Sequence, residues 1–363
     1  MSWEKEVKEL KSRIDLSKKM GGKEKVKRQH DAGRTTVRER IVALIDKDSF
    51  REIGGIAGRS EYDDEGNLMN FLPANSVIGQ AKINDRPVII YGDDFTVRGG
   101  AADAAIHEKM VAGERFANEY RMPIIRLIEG TGGGGSVKSL EKDGYTYVPA
   151  NPAWDWVVKN MSTIPVVSLG LGPVAGLGAA RLVSSHYSVI VKEMSQVFVA
   201  GPPVVNRLGE TVTKESLGGS EIHGKNGAID DVAQNEAEAL LMAKKFLSYL
   251  PSSTYELPEK KNNKDPVDRS DKWLIGAVPK DRRESYEIRP IIESVTDKDS
   301  FFEIGKNWGT SSVSGFARLD GHPTVILANN PQVYGGCLLY TSDAADENRG
   351  VDHGGRRIIK KNG

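Results

Sequence analysis

The sequence predicts an α/β fold in which a whole domain occurs twice, and three observations carry that reading. DKDSFREIG (46–54) recurs as DKDSFFEIG (297–305), an offset of 251 residues. VIGQAKINDRPVIIYG (77–92) lies over VSGFARLDGHPTVILA (313–328) at an offset of 236, and Gly99-Gly100 falls on Gly335-Gly336 at that same offset. Between the copies, short apolar runs alternate with helical patterns, the layering of α/β proteins. The period far exceeds that of solenoid repeats, so the repeated unit is a domain.

The elements follow in order. Trp3, Val7, Leu10 and Ile14 stand at helical spacing and place a helix in an N-terminal segment, 1–34. The first copy spans 35–250. It opens with a helix over 37–44 and short alternating strands, with Asn84-Asp85 as a hairpin turn before Pro87. A helix follows over 101–120, with Ile106, Met110, Ala117 and Tyr120 roughly on one face. A strand over 123–128 leads into a glycine loop, 130–135. Asn151 is the expected cap of the next helix, with Pro152 in its first turn. A strand over 165–169 leads into a second glycine loop, 170–178, and another helix. The helix over 236–250 is stopped by Pro251.

Residues 251–284 are read as an interdomain linker, because 251–271 is polar and punctuated by proline. The second copy spans 285–336 and is incomplete. The first copy continues for well over a hundred residues after Gly100, whereas only 27 follow Gly336. Those residues, 337–363, resemble nothing in the first copy and are read as a non-native tail on a truncated frame.

Composition narrows the function. Hydrophobic residues at 39% and charged residues at 28% suit a chain with a buried core. Fifty basic and fifty acidic residues give zero net charge, so there is no global field for nucleic acid or an anionic membrane. One cysteine excludes a disulfide framework and a thiolate zinc site, and no metal site is expected. The longest charge-free stretch, 160–180, is broken by proline and glycine and reads as strand, turn and helix start, not a membrane span. The opening MSWEKEVKEL has neither signal-peptide nor transit-peptide character. A cytoplasmic protein is expected, or a matrix protein where a transit peptide is missing.

The glycine runs IEGTGGGGSVK (128–138) and GLGPVAGLGAA (170–180) are the chemical signal. Glycine lets backbone N–H groups approach a ligand closely, and a helix starting there adds its positive end. A phosphate loop is disfavoured, because Ser136 stands where the lysine after Gly130 and Gly135 belongs. A dinucleotide fingerprint is disfavoured, because the third glycine after Gly170 and Gly172 is misplaced. No G-x-S-x-G elbow or H-E-x-x-H pair occurs. Backbone amides stabilising a developing oxyanion are the chemistry best supported; tight strand–helix packing is the alternative role of such turns.

Longer stretches carry a resemblance. MGGKEKVKRQHDAGRTTVRERIVALIDKDSFREIG (20–54), DDFTVRGGAADAAIHEKM (93–110), GPVAGLGAA (172–180), VFVAGPPVVNRLGETVTKESLGGSEIHGKNGAIDDVAQNEAEAL (197–240) and NNPQVYGG (329–336) resemble the carboxyltransferase (β) subunits of biotin-dependent acyl-CoA carboxylases, of the methylcrotonoyl-CoA and propionyl-CoA carboxylase type. The AGPP form looks closest to the methylcrotonoyl-CoA branch. The resemblance implies a crotonase-like (ClpP/crotonase) ββα superhelix, duplicated. It implies acyl-CoA on the N-terminal half and carboxybiotin on the C-terminal half of a neighbouring subunit. A homohexamer and a biotin carboxylase/biotin carrier α subunit follow as partners in an ATP-dependent holoenzyme, with carboxybiotin borne by the partner. The implied reaction moves CO2 from carboxybiotin to an acyl-CoA through an enolate.

Position by position, Gly176 and Leu177 fall where the family has a Gly-Gly donor pair, so the implied oxyanion donors are the amides of Gly176, Leu177 and Gly178. Leu177 departs from the family's glycine. The first loop, with Gly132, Gly133 and Gly134 in a substrate-binding role, departs from the family's D-S-G-G-A-R and lacks its arginine. Lys23, Lys27 and Arg28, with Lys25 and Arg34, form a basic cluster that could meet CoA phosphates; a solvated surface is the bland alternative. Gly201 is expected to shape the pocket. Two other functions stay open: an acyl-CoA decarboxylase subunit of the same fold, and a non-catalytic CoA-binding scaffold. The chain by itself is expected to have negligible carboxylation activity.

Overall fold

The computed structural model describes residues 2–101, 105–131, 144, 151–266 and 268–337. Chain contacts divide it into two units, Met1–Lys260 and Lys261–Gly363. Residues 251–284 are shared between the units. Arg86 donates to the carbonyls of Leu247, Leu250 and Pro251, seating the start of the segment in the first unit. In the second, Arg269 donates to the Ser294 carbonyl and Asn263 to Asp297.

The first unit begins with helices α1 (Glu4–Lys18), α2 (Lys23–Asp31) and α3 (Val37–Leu44). Thr36 starts α3 with a reciprocal cap: its hydroxyl accepts the Glu39 amide, and the Glu39 carboxylate accepts the Thr36 amide at 2.7 Å. Burial alone would raise the Glu39 carboxyl. Hydrogen bonds from His30 and Thr36 outweigh it and hold the group at about 2.

The strands are β1 (Arg51–Ile53), β2 (Gly58–Tyr62), β3 (Leu68–Pro73), β4 (Ser76–Ile83) and β5 (Arg86–Asp93). After them come α4 (His107–Glu119), β6 (Ile124–Thr131), α5 (Trp154–Met161), β7 (Val166–Ala175) and α6 (Leu177–Val183). The unit continues with β8 (Tyr187–Val191), β9 (Gln196–Phe198), α7 (Pro202–Val205), α8 (Lys214–Gly218), α9 (Ser220–His223), β10 (Asp231–Ala233) and α10 (Glu236–Leu247). Two expected helix starts need correction. α4 begins at His107, and α5 begins at Trp154 after Ala153; Asn151 supplies only its carbonyl, to the Trp154 amide.

The main sheet runs β1-β4-β5-β6-β7-β8-β10, with β9 also paired to β7. β1, β4 and β5 pair antiparallel, and the strands from β5 to β10 pair parallel. Helices cover its centre, so Val88–Tyr91 and Ile124–Ile128 read as near-continuous apolar runs, buried throughout. Arg126 is the one charged residue in those two runs.

In the second unit, α11 (Arg289–Val295) precedes β11 (Phe302–Ile304), β12 (Ser312–Leu319) and β13 (His322–Asn329), a three-stranded sheet. Several of its contacts repeat those of the first unit at the sequence offsets. Arg38 pairs bidentately with Glu52, and Arg289 with Glu303, at the 251 offset. Asp46 receives the amides of Asn84 and Asp85 in its hairpin turn, and Asp297 receives those of Asp320 and Gly321. Gly79 and Gly315 occupy one role: a Cβ would lie 2.5 Å from the Arg51 carbonyl oxygen in one copy and 2.2 Å from that of Phe302 in the other. The duplication is therefore present in geometry as well as in sequence. One difference stands out. Ile89 and Tyr91 are buried, whereas their counterparts Val325 and Leu327 on β13 are 70% and 76% exposed. Among the described residues, no strand pairs with the outer edge of β13.

Candidate functional site

The carboxyl ends of β6, β7 and β9 meet in the first unit, the place where open parallel sheets bind ligands. Both glycine runs begin within strands. β6 continues through Gly130 to Thr131, and β7 continues through Gly170 and Gly172 to Ala175, so the second expected loop is mostly strand. The physical reason is close approach. A Cβ on Gly170 would sit 3.1 Å from Ile190 and Leu182, and one on Gly172 would sit 2.5 Å from the Glu129 carboxylate. The turn proper is Gly176, with φ 59° and ψ −124°, a conformation open to glycine. α6 starts at the next residue.

Of the three expected amide donors, Gly176 is already used: its N–H donates to the Phe198 carbonyl at 3.0 Å, part of the β7–β9 seam. Among the described residues, the amides of Leu177, Gly178 and Ala179 have no partner, as the first N–H groups of a helix do not. Of the three expected donors, Leu177 and Gly178 are therefore the two left to donate. Gly178 packs against its surroundings: its Cβ would meet Val174 at 3.3 Å and the Gly130 carbonyl at 3.5 Å. A Cβ on Gly130 (φ 130°) would lie 2.9 Å from the Gly99 carbonyl. The Gly99-Gly100 turn, the end of β6 and the start of α6 are thus in contact. Gly201 caps α7 two residues beyond Val199, whose carbonyl lies 3.9 Å from where a Gly176 Cβ would be. Gly132, Gly133 and Gly134 lie outside the described residues.

Lys23, Lys27 and Arg28 are exposed on α2, and Lys27 is paired with Asp31 at 2.6 Å. Arg34 does not join them. Its Nε lies 3.0 Å from Glu129 Oε1, and its guanidinium sits over the Phe95 ring.

Sequence reasoning missed the charged cluster beneath the turns. Glu129, 1% exposed, accepts from Arg40 Nη1 at 2.5 Å and from Gln29 Nε2 at 2.8 Å. Arg40 also donates to the Leu171 carbonyl at 2.7 Å and to Glu236 on α10. Asp93 links the two turns from below: it pairs with Arg181 of α6 at 2.6 Å and lies 3.4 Å from the Glu129 amide. Burial works against the Arg181 charge, but Asp93 outweighs it and raises the guanidinium pKa. The available signal was a lone acid closing the apolar run IIRLIEG.

Lys109 on α4 is 7% exposed, and its Nζ lies 3.8 Å from Glu52, which Arg38 already holds. Burial pushes its ammonium down to about 8 against the pull of Glu52. A folded pKa below the unfolded one means that charging Lys109 costs stability below about pH 8, and that the cost fades as pH rises towards 10.5. Lys109→Met is therefore expected to stabilise by roughly 1–3 kcal/mol at pH 7, with the gain shrinking above pH 8. Urea unfolding across that range checks both.

Comparison with known proteins decides the family. The model of the carboxyl transferase domain matches residues 28–353. The chain belongs to the carboxyl transferase domain family. It is 31% identical over 343 residues to the propionyl-CoA carboxylase carboxyltransferase subunit of Haloferax mediterranei, covering 93% of this chain and 65% of that protein. It is 33% identical over 327 residues to the human mitochondrial propionyl-CoA carboxylase beta chain, covering 88% and 59%. The chain thus spans about three fifths of the length of these relatives. Among solved structures, it resembles transcarboxylase 12S, described as a hexamer assembly with methylmalonyl-coenzyme A bound. The TM-score is 0.80 at 29% identity, covering 94% of this chain and 65% of that one. A single-chain long-chain acyl-CoA carboxylase, 23% identical with a TM-score of 0.76, shares the fold. The duplicated crotonase-like α/β architecture is that of this carboxyl transferase family.

Proposed function

We propose that the chain is the carboxyltransferase subunit of a biotin-dependent acyl-CoA carboxylase, which moves a carboxyl group to an acyl-CoA through a thioester enolate. The observation that carries this is the amide pair of Leu177 and Gly178 at the start of α6, which has no partner among the described residues, in a chain of the carboxyl transferase family. Deprotonation beside a thioester puts negative charge on the carbonyl oxygen. Fixed N–H donors stabilise that charge more than the neutral ground state, which is what lowers a barrier. Leu177 serves as well as glycine there, because a donor at the first helical position needs only its N–H and ordinary helical φ.

Lys23, Lys27 and Arg28 are proposed to meet the CoA phosphates, with Gly132–Gly134 and Gly201 along the acyl path. Carboxybiotin, carried by a biotin carboxylase/carrier partner, supplies the carboxyl group when it is bound. Of the residues that would face it, those described form only the Gly335-Gly336 turn. Its φ values of 65° and 73° match the 62° and 72° of Gly99-Gly100, so the residues present fit the opening of a second such site. The hexamer and the acyl-CoA ligand of transcarboxylase 12S support a homohexamer acting on acyl-CoA. Among the described residues, no helix is long and apolar enough to cross a membrane, and the proposed compartment is the cytoplasm.

The test supplies the complete protein with its carboxylated biotin partner and a short acyl-CoA, and measures carboxyacyl-CoA. Product formation is expected. CO2 release from a carboxyacyl-CoA without ATP, and no forward product, would favour a decarboxylase. CoA binding with neither reaction would leave a scaffold.

A further inference from the structure

Resting on that function, we infer that Glu129 is a positioning residue that mechanically couples the basic helix α2 to the oxyanion turn. Binding of the nucleotide end of CoA is thereby used to place the amides at its thioester end.

The contacts run without a gap. Gln29 lies on α2 one residue after Arg28, is 3% exposed, and donates to Glu129 Oε2 at 2.8 Å and to the Thr35 carbonyl at 3.3 Å. Arg34, just beyond α2, lies 3.0 Å from the other carboxylate oxygen. Arg40 on α3 holds Oε2 and, with its second nitrogen, the Leu171 carbonyl of β7. Glu129 is followed directly by Gly130, whose carbonyl packs beside Gly178. Gly172 is the glycine that leaves room for the carboxylate. One buried carboxylate thus touches the helix proposed to bind phosphate, the end of β6 and, through Arg40, the strand that ends in the Gly176 turn.

The cluster is not built for stability alone. The Glu129 Oε1 and Arg34 Nε atoms are buried and 3.0 Å apart, yet neither has an aligned hydrogen bond. An apolar cluster of the same volume would fill that space at lower desolvation cost. What the ionic arrangement adds is a directional link between segments 29–40 and 129–172.

Energy from remote parts of a substrate raises kcat only when the protein transmits it to the reacting centre, so truncated substrates lose kcat as well as affinity. The complete protein with its carboxylated partner is assayed with acyl-CoA and with the matching acyl-pantetheine, which lacks the phosphates. Wild type, Gln29→Leu and Glu129→Gln are compared. Gln29→Leu keeps the shape and the Arg40 pair while cutting the tie to α2, so it remains informative if Glu129→Gln does not fold. The wild type is expected to turn acyl-CoA over about tenfold or more faster at saturation than acyl-pantetheine. Gln29→Leu is expected to lose most of that kcat advantage while its KM for acyl-CoA stays within about threefold. Equal losses on both substrates, or an unchanged ratio, would overturn the coupling and leave the function intact. A wild type with no turnover on either substrate would overturn the function, and the coupling with it.

Discussion

Arg126→Met is expected to lower the unfolding free energy by about 3–5 kcal/mol, because it strands a charge with no route to water. Arg126 is wholly buried in β6. Its Nε and Nη2 hold both oxygens of Glu114 at 2.8 and 2.9 Å, and its Nη1 holds the Ser184 carbonyl at 2.7 Å and that of Arg181 at 3.2 Å. Methionine fills the space of the stem but pairs with nothing. Glu114, 0% exposed, would keep only the Asn160 amide at 2.9 Å. The Ser184 carbonyl at the end of α6 would lose this donor and the Arg181 carbonyl would keep only the Ser168 hydroxyl, loosening the helix that carries the Leu177 and Gly178 amides. The double change Arg126→Met with Glu114→Met removes both charges together and is expected to regain most of the loss. Urea midpoints of the complete protein measure both effects.

That triad shows where the sequence stops being informative. Short apolar runs located β5, β6 and β7, because strands buried on both faces are largely apolar. The paired offsets of 251 and 236 gave the duplication, since each repeated residue has a geometric duty: Asp46 and Asp297 hold hairpin turns, and Gly79 and Gly315 allow close strand approach. A glycine turn between strand and helix was legible within 170–178, but not its position; in the fold it falls at Gly176. Its amide was not legible as spent, because the Phe198 partner is 22 positions away and comes from a strand that only the fold brings alongside β7. The same holds for Arg34. In sequence it belongs to a basic cluster, but in the fold it turns inward to an acid 95 positions later. Long-range polar pairing has no periodicity, so local patterns do not disclose it.

The largest catalytic effect is expected at Leu177. Proline is tolerated at the first position of a helix, because its missing N–H has no intrahelical partner there. The preceding residue must avoid the α region, and Gly176 does so: its φ 59° and ψ −124° are the mirror image of an extended conformation. Leu177→Pro therefore deletes one N–H donor and leaves α6 in place. If the amides hold the enolate oxygen, kcat falls by about 10²–10³-fold, the usual cost of one oxyanion donor. Leu177→Ala removes the side chain and keeps the donor.

Comparing kcat of these two variants in the complete, partnered enzyme tests the role of the backbone most directly. The amide account predicts a collapse in the proline variant beside near-wild-type turnover in the alanine variant, both with wild-type circular dichroism. Comparable turnover in the two, with the fold retained, would contradict it.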